Sequence, residues 1–276
     1  MAIGVYLTYR ILDFADLTVD GSICTGACVC AMSVVSGLPL WLAMILATIA
    51  GMLSGLVTAL FNTALGIPPI LSGILTQLIL WSVNLKILGK ANQALSARNY
   101  KLLVTQLNPA WQNILVLVIS CGAVIGLLYW FFGTETGSAI RATGNNPAMS
   151  RAQGINTNVM KLIGLVLSNG LVALAGALLS QFLGQADINM GKGAIVIGLA
   201  AVIIGEAIFG RKVRNFALSL LCVIGGSIVY YLVYQTVIYL GLDTDLLKML
   251  SAVMVAIFLA IPYLKSKAKV KPKKST

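Results

Sequence analysis

Residues 137–156 read GSAIRATGNNPAMSRAQGIN, a polar stretch of Gly, Asn and small side chains. It lies between the apolar runs NILVLVISCGAVIGLLYWFF (113–132) and VMKLIGLVLSNGLVALAGALL (159–179). Its stop and start signals write two small helices. Residues 137–143 form the first, which Gly144 ends by taking the left-handed conformation. Asn146 caps the second, PAMSRAQ, with Pro147 at its first position and a stop at Gly154. Helices shorter than about 12 residues are marginal alone, so this pair needs a surface to pack against. The residues by themselves equally allow an ordinary connecting loop.

The flanking runs set the solvent. Hydrophobic residues make up 59% of the 276 and charged ones 10%, and mean hydropathy is +0.94. An ordinary soluble domain carries roughly 25% charged residues, so this is an integral membrane protein. The four-residue spacing of Gly51/Gly55 and Gly122/Gly126 predicts seams where helix backbones approach closely. Spanning helices need about 20 mainly apolar residues. That ruler gives spans near 39–65, 67–88, 113–133, 159–184, 216–240 and 246–264. Residues 22–38 and 194–210 are shorter and follow polar leads, so each is a short span or a broken, re-entrant piece. The predicted fold is all-α, a polytopic helical bundle of about eight spans including broken or re-entrant helices. Residues 1–264 form the transmembrane domain and 265–276 a basic tail. MAIGVYLTYRIL supplies only about half a span before Asp13, so the native first span is expected to be longer. The start lacks the basic region and small-residue cleavage site of a signal peptide.

Charge gives orientation. The net charge is +11, but six lysines (265, 267, 269, 271, 273, 274) fall in the tail, with no aromatic residue interleaved. This suits a cytoplasmic flank touching anionic lipid and argues against nucleic acid. Counting back from a cytoplasmic C-terminus places 134–158 inside, with Arg141, Arg151 and Lys161 in agreement. Residues 86–101 fall outside despite holding Lys86, Lys90, Arg98 and Lys101. That exception to the rule suggests a docking surface for an acidic partner.

The chemistry is bounded by what the chain lacks. It has no His, 8 acids and 5 Cys. No CxxC, HExxH or GxSxG occurs, so metal sites and hydrolytic machinery have no parts, and the cysteines read as packing. GQADINMGKG (184–193) fails as a phosphate loop on its glycine spacing. Polar side chains within spans face other helices or a pathway, and Asn62, Gln77 and Asn169 are the pathway candidates, with interhelical bonding as the alternative. Thr76 and Asn84 share a span with Gln77. Ala15-Asp16-Leu17 and Ala186-Asp187-Ile188 form a weak internal echo, as in transporters built from repeats.

The run RATGNNPAMSRAQGIN, followed after a span by AAVIIGEAIFG (200–210), resembles the permease subunits of bacterial ABC importers of the branched-chain amino acid, ribose and nucleoside type. DFADLTVDGS and IPPILSGILT resemble more narrowly the tryptophan- or tyrosine-type group. The resemblance covers nearly the whole chain. It implies that 134–158 is a cytoplasmic coupling segment docking in a groove of a separate ATPase, with Arg141, Gly144, Asn146, Pro147, Met149, Arg151 and Gly154 as its residues. Met149 and Ser150 stand where many relatives have an Ala pair, and Glu206 where many have Gly. The implied partners are the ATPase subunit, which carries ATP and Mg, a second permease copy in a homodimer, and an external binding protein in the extracellular space or periplasm. This chain itself would bind no cofactor and would sit in the bacterial cell membrane. A channel or ion-driven secondary transporter is the alternative. It would need a mid-membrane carboxylate, for which Glu206 is the candidate.

Overall fold

A computed structural model describes residues 1–96, 100, 102–209 and 215–239 and the single positions 249, 252, 253, 256 and 260. The basic tail, the cluster at 211–214, and Arg98 and Lys101 lie outside the described residues, as does most of the span expected at 246–264. Helix α1 (Ala2–Tyr6) continues into a π-helical turn (Leu7–Ile11) and is followed by α2 (Val19–Val35), α3 (Leu40–Thr63) and α4 (Pro69–Leu88). Strand β1 (Asn92–Ala94) precedes α5 (Ala110–Phe132), α6 (Glu135–Asn145), α7 (Pro147–Ala152) and α8 (Thr157–Leu183). Strand β2 (Gln185–Asp187), α9 (Ala194–Ile208) and α10 (Phe216–Tyr239) complete the described elements.

Helices α3, α4, α5 and α8, and α10 over Phe216–Thr236, are long and apolar enough to cross a membrane. The segments expected at 22–38 and 194–210 are the shorter apolar helices α2 and α9. The chain divides into two compact units, one running to Ile195 and one beginning at Val196.

In the first unit α2, α3 and α8 form the centre, packed through small residues. A Cβ at Gly51 would overlap Ala173, and one at Gly55 the carbonyl of Leu165. Gly26 and Gly176 bring α2 and α8 together in the same way, against Ala173 and Ile23. With lipid outside and no water to expel, such close backbone contact is a main source of helix association. The second expected seam is corrected. A side chain at Gly122 or Gly126 would meet no described atom within 4 Å, because both face outward from α5, whose span is only 6% buried. Cys24, Cys28 and Cys30 are buried beside Ala27, Leu88 and Ala177, so their place is in the packing.

Helix α8 has 27 residues, about 40 Å at 1.5 Å per residue, against a hydrocarbon core of about 30 Å. Its ends therefore lie on opposite membrane faces. At one end it meets α7, and at the other it turns through left-handed Gly184 into β2, which pairs antiparallel with β1. The last turn of α4, with Lys86, and the segment after it, with Lys90, are thus at the far end of α8 from the 137–156 stretch. Both lysines are exposed there.

Hydroxyls join α2, α3 and α4. Thr18 and Thr58 hydroxyls lie 2.6 Å apart, and Thr58 donates to Thr76 at 2.9 Å, all three buried. Thr58→Val keeps the shape and removes the shared hydroxyl. The expected loss is about 1 kcal/mol, the usual range for interhelical hydrogen bonds in membranes. It should appear as a lower unfolding midpoint in detergent, and an unchanged midpoint would remove the triad from the stability account.

In the second unit, Gly205 abuts the carbonyl of Cys222 and Gly226 that of Ala201, so α9 and α10 meet through glycines. Ala200, Ile204 and Tyr230 fill its core. Glu206 is half-buried on α9.

Candidate functional site

The 137–156 stretch forms two helices, as its signals require, with one correction. Thr134 starts α6 two residues earlier than the spacing predicts, its hydroxyl accepting from Gly137 N at 3.3 Å. Gly144 does not end the helix. It lies within α6, and a Cβ there would overlap the carbonyl oxygen of Ile11 in the π-helical turn. Glycine serves equally as a left-handed stop and as a gap for a passing backbone, and here the gap decides. The break between helices is Asn146, extended at φ −153° and ψ 95°, whose Oδ1 accepts from Met149 N at 3.0 Å to cap α7, with Pro147 in the first turn.

Gly154 stops α7 as expected, at φ +83°. Ile155 N donates to Ser150 O and Gly154 N to Arg151 O, both at 3.0 Å, the two bonds of a Schellman closure. Asn156 then caps α8 by accepting from Asn158 N and Val159 N. The two helices are therefore a tied corner. Ser150 is its buried anchor, while Pro147, Ala148, Met149, Arg151 and Ala152 are exposed. Arg141 turns back on the corner: Nη2 donates to the carbonyl of Phe132, and the guanidinium sits 5.4 Å from that ring's centroid. A β-branched residue at Gly154 would be strained in the left-handed region. Gly154→Val should therefore leave insertion intact and swing α7, seen as faster protease cleavage within the corner. A wild-type cleavage rate would contradict this.

A buried polar core lies further along α8. Asn169 on α8 is fully buried; its Nδ2 donates to Asp16 Oδ2 at 2.8 Å and its Oδ1 accepts from Ser22 at 2.6 Å. Ser22 also meets Ser54 of α3 at 2.7 Å. Asp16 further accepts from Thr18 N at 2.9 Å. A carboxylate at 3% exposure is tolerated because donors surround it. Asn169 thus holds helices together. Asn62 donates to Ile67 O at 2.8 Å and closes the turn between α3 and α4.

Gln77 is different. It lines a cavity of about 330 Å³ between α2 and α4, together with Asp20, Trp81, Asn84, Ile188 and Lys192. Asp20 Oδ1 accepts from Ile195 N at 2.8 Å and Oδ2 from Gly193 N at 3.0 Å, capping the start of α9. Sequence reasoning points to Glu206 only as the coupling carboxylate of a secondary transporter and to Asp16 only as part of the echo, so the polar roles of Asp16 and Asp20 are new. Their signal was DFADLTVDGS running directly into an apolar helix. The echo at Asp16 and Asp187 has a local basis: each accepts from the amide two residues on, Thr18 N and Asn189 N, ahead of a short apolar helix. Among the described residues no group of three metal-ligating side chains forms.

Membrane-length helices around a polar core, with a capped corner at one end of α8, define a multi-pass membrane protein. The description "Branched-chain amino acid transport system / permease component" matches residues 1–261, and the chain belongs to that family of ABC importer permeases. It is 37% identical to a tyrosine transport system permease protein of Clostridioides difficile, over 99% of this chain and 92% of that one. An uncharacterized protein of Rickettsia prowazekii is 35% identical over 94% and 92% of the two chains. A xylose transport system permease protein of Haemophilus influenzae is 36% identical over 33% of this chain and 24% of its own. No solved structure matches.

Proposed function

We propose that the chain forms the pathway of an importer for an aromatic amino acid, with its ATPase docked on α7. The observation that carries the docking is the tied corner, which fixes Met149 and Arg151 in the open while its own backbone groups are satisfied. A groove in the ATPase would take Met149 as an adaptable apolar knob and bond Arg151 in forked geometry. The substrate reading rests on likeness to the tyrosine permease. In this reading ATP and Mg belong to the ATPase, two permease copies enclose the pathway, and the projection and C-terminus face the cytoplasm of a bacterial cell. A binding protein delivers solute to the opposite face, where Lys86 and Lys90 are exposed.

Coupling then follows contacts already in place. Gly144 seats α6 on Ile11, the chain continues from the π-helical turn to Asp16, and Asp16 is bonded through Asn169 to Ser22 at the start of α2. A shift of α6 driven by ATPase closure would bias α2, and α2 lines the cavity. Coupling requires that the two states differ in such contacts. The test is uptake of labelled tyrosine into liposomes holding permease and ATPase, with binding protein added outside. ATP-dependent uptake is expected. Uptake by the permease alone, driven by an ion gradient, would support the secondary transporter.

A further inference from the structure

We infer that the cavity between α2 and α4 is a solute station built for a zwitterion with an apolar or aromatic body. This rests on the importer reading and deepens it. The walls carry one cation, Lys192, and one carboxylate, Asp20, facing a space of about 330 Å³, which falls in the range of small-molecule sites. Lys192 is exposed on a turn (Asn189–Gly193) and supplies donors only. Each Asp20 oxygen already accepts one backbone amide and keeps a second lone pair.

Asn84 supplies the independent observation. It is 1% exposed, lines the cavity, and its Oδ1 has no hydrogen-bond partner among the described residues. A buried acceptor left unpaired costs about 1–3 kcal/mol, so the site asks for a donor. An α-ammonium group held at Asp20 would meet that need by drawing the Asn84 carbonyl toward it, and an α-carboxylate meets Lys192. Ile74, Leu78, Ile188 and the half-exposed indole of Trp81 form the remaining wall, where an apolar or aromatic side chain would lie. On α4 the positions 77, 81 and 84 follow one helical face. A neutral sugar would offer neither an ammonium to Asp20 nor a carboxylate to Lys192, which separates this site from the likeness to a xylose permease.

The experiment uses the complete importer in liposomes, with labelled tyrosine as probe and loaded binding protein titrated outside. Lys192→Met should lower the maximal uptake rate about tenfold or more, the worth of one charge-assisted hydrogen bond. Lys192→Arg should retain most of it, and Asn84→Leu should fall as Lys192→Met does. ATPase co-purification and the half-saturating concentration of binding protein should stay at wild-type values. Should Lys192→Met fail to assemble, Asn84→Leu carries the test. Wild-type maximal rates in both variants would overturn the station alone. A shifted half-saturation with an unchanged maximal rate would assign these residues to binding-protein docking and also overturn it. If the wild-type importer takes up no tyrosine while hydrolysing ATP, the aromatic amino-acid reading falls, and the station with it.

Discussion

Gly144→Val should uncouple the transporter while leaving its membrane bundle assembled. A Cβ at position 144 would occupy the place of the Ile11 carbonyl oxygen, and a backbone atom cannot rotate away as a flexible side chain can. Helix α6 must therefore lift from the π-helical turn. Thr134 would still cap its start and Asn146 would still cap α7, so both helices persist in a displaced position. Overpacking of this kind costs about 1–3 kcal/mol or more, and here it falls on the contact that joins the projection to the chain leading to Asp16. ATP hydrolysis should continue at its basal rate, with uptake falling by roughly two orders of magnitude, as a loss near 3 kcal/mol implies. Gly144→Ala should show the same direction with a smaller effect. Wild-type uptake by both variants would show that the contact between α6 and Ile11 carries no coupling.

Met149→Asp should remove the ATPase itself. Met149 is 59% exposed on the outer side of α7 and makes no contribution to the caps through its side chain. The substitution leaves the fold alone and changes only what a partner would meet. An ammonium or guanidinium awaiting it would invert the result, but an apolar groove would receive an unpaired charge at a cost of several kcal/mol. Co-purification of the ATPase should then drop below a tenth of wild type, since each 1.4 kcal/mol is about tenfold. Met149→Leu, which keeps the apolar volume, should bind normally. Equal recovery of ATPase with Asp and Leu would place the dock elsewhere.

Much of this was legible in the residues. The spans at 40–63, 69–88, 110–132 and 157–183 follow from unbroken apolar length, and Pro69, Asn146 and Gly154 mark their local boundaries by chemistry that acts within a turn. The small-residue seam at Gly51 and Gly55 could be read as a seam, but its likeness at Gly122 and Gly126 faces outward. Spacing alone does not say which helix face finds a neighbour. Gly144 shows the same limit at one residue: a backbone passing 133 positions earlier in the chain decides between stop and gap. Asn62 and Asn169 were chosen for polarity within spans, yet their bonds go to Ile67, Asp16 and Ser22, partners that only tertiary packing supplies. In the sequence Lys192 reads only as part of a failed phosphate loop and Trp81 as a membrane aromatic; the cavity is what relates them. The basic segment at 86–101 runs against the charge rule, and pairing of β1 with β2 sets its described part, with Lys86 and Lys90, at the far end of α8 from the projection.

Site-specific photocrosslinking in the assembled importer, with the probe at position 149, 151 or 90, separates the two faces most directly. Probes at Met149 and Arg151 should capture the ATPase, and a probe at Lys90 the binding protein and never the ATPase. Capture of the ATPase from position 90, or its absence from both 149 and 151, would overturn docking on α7.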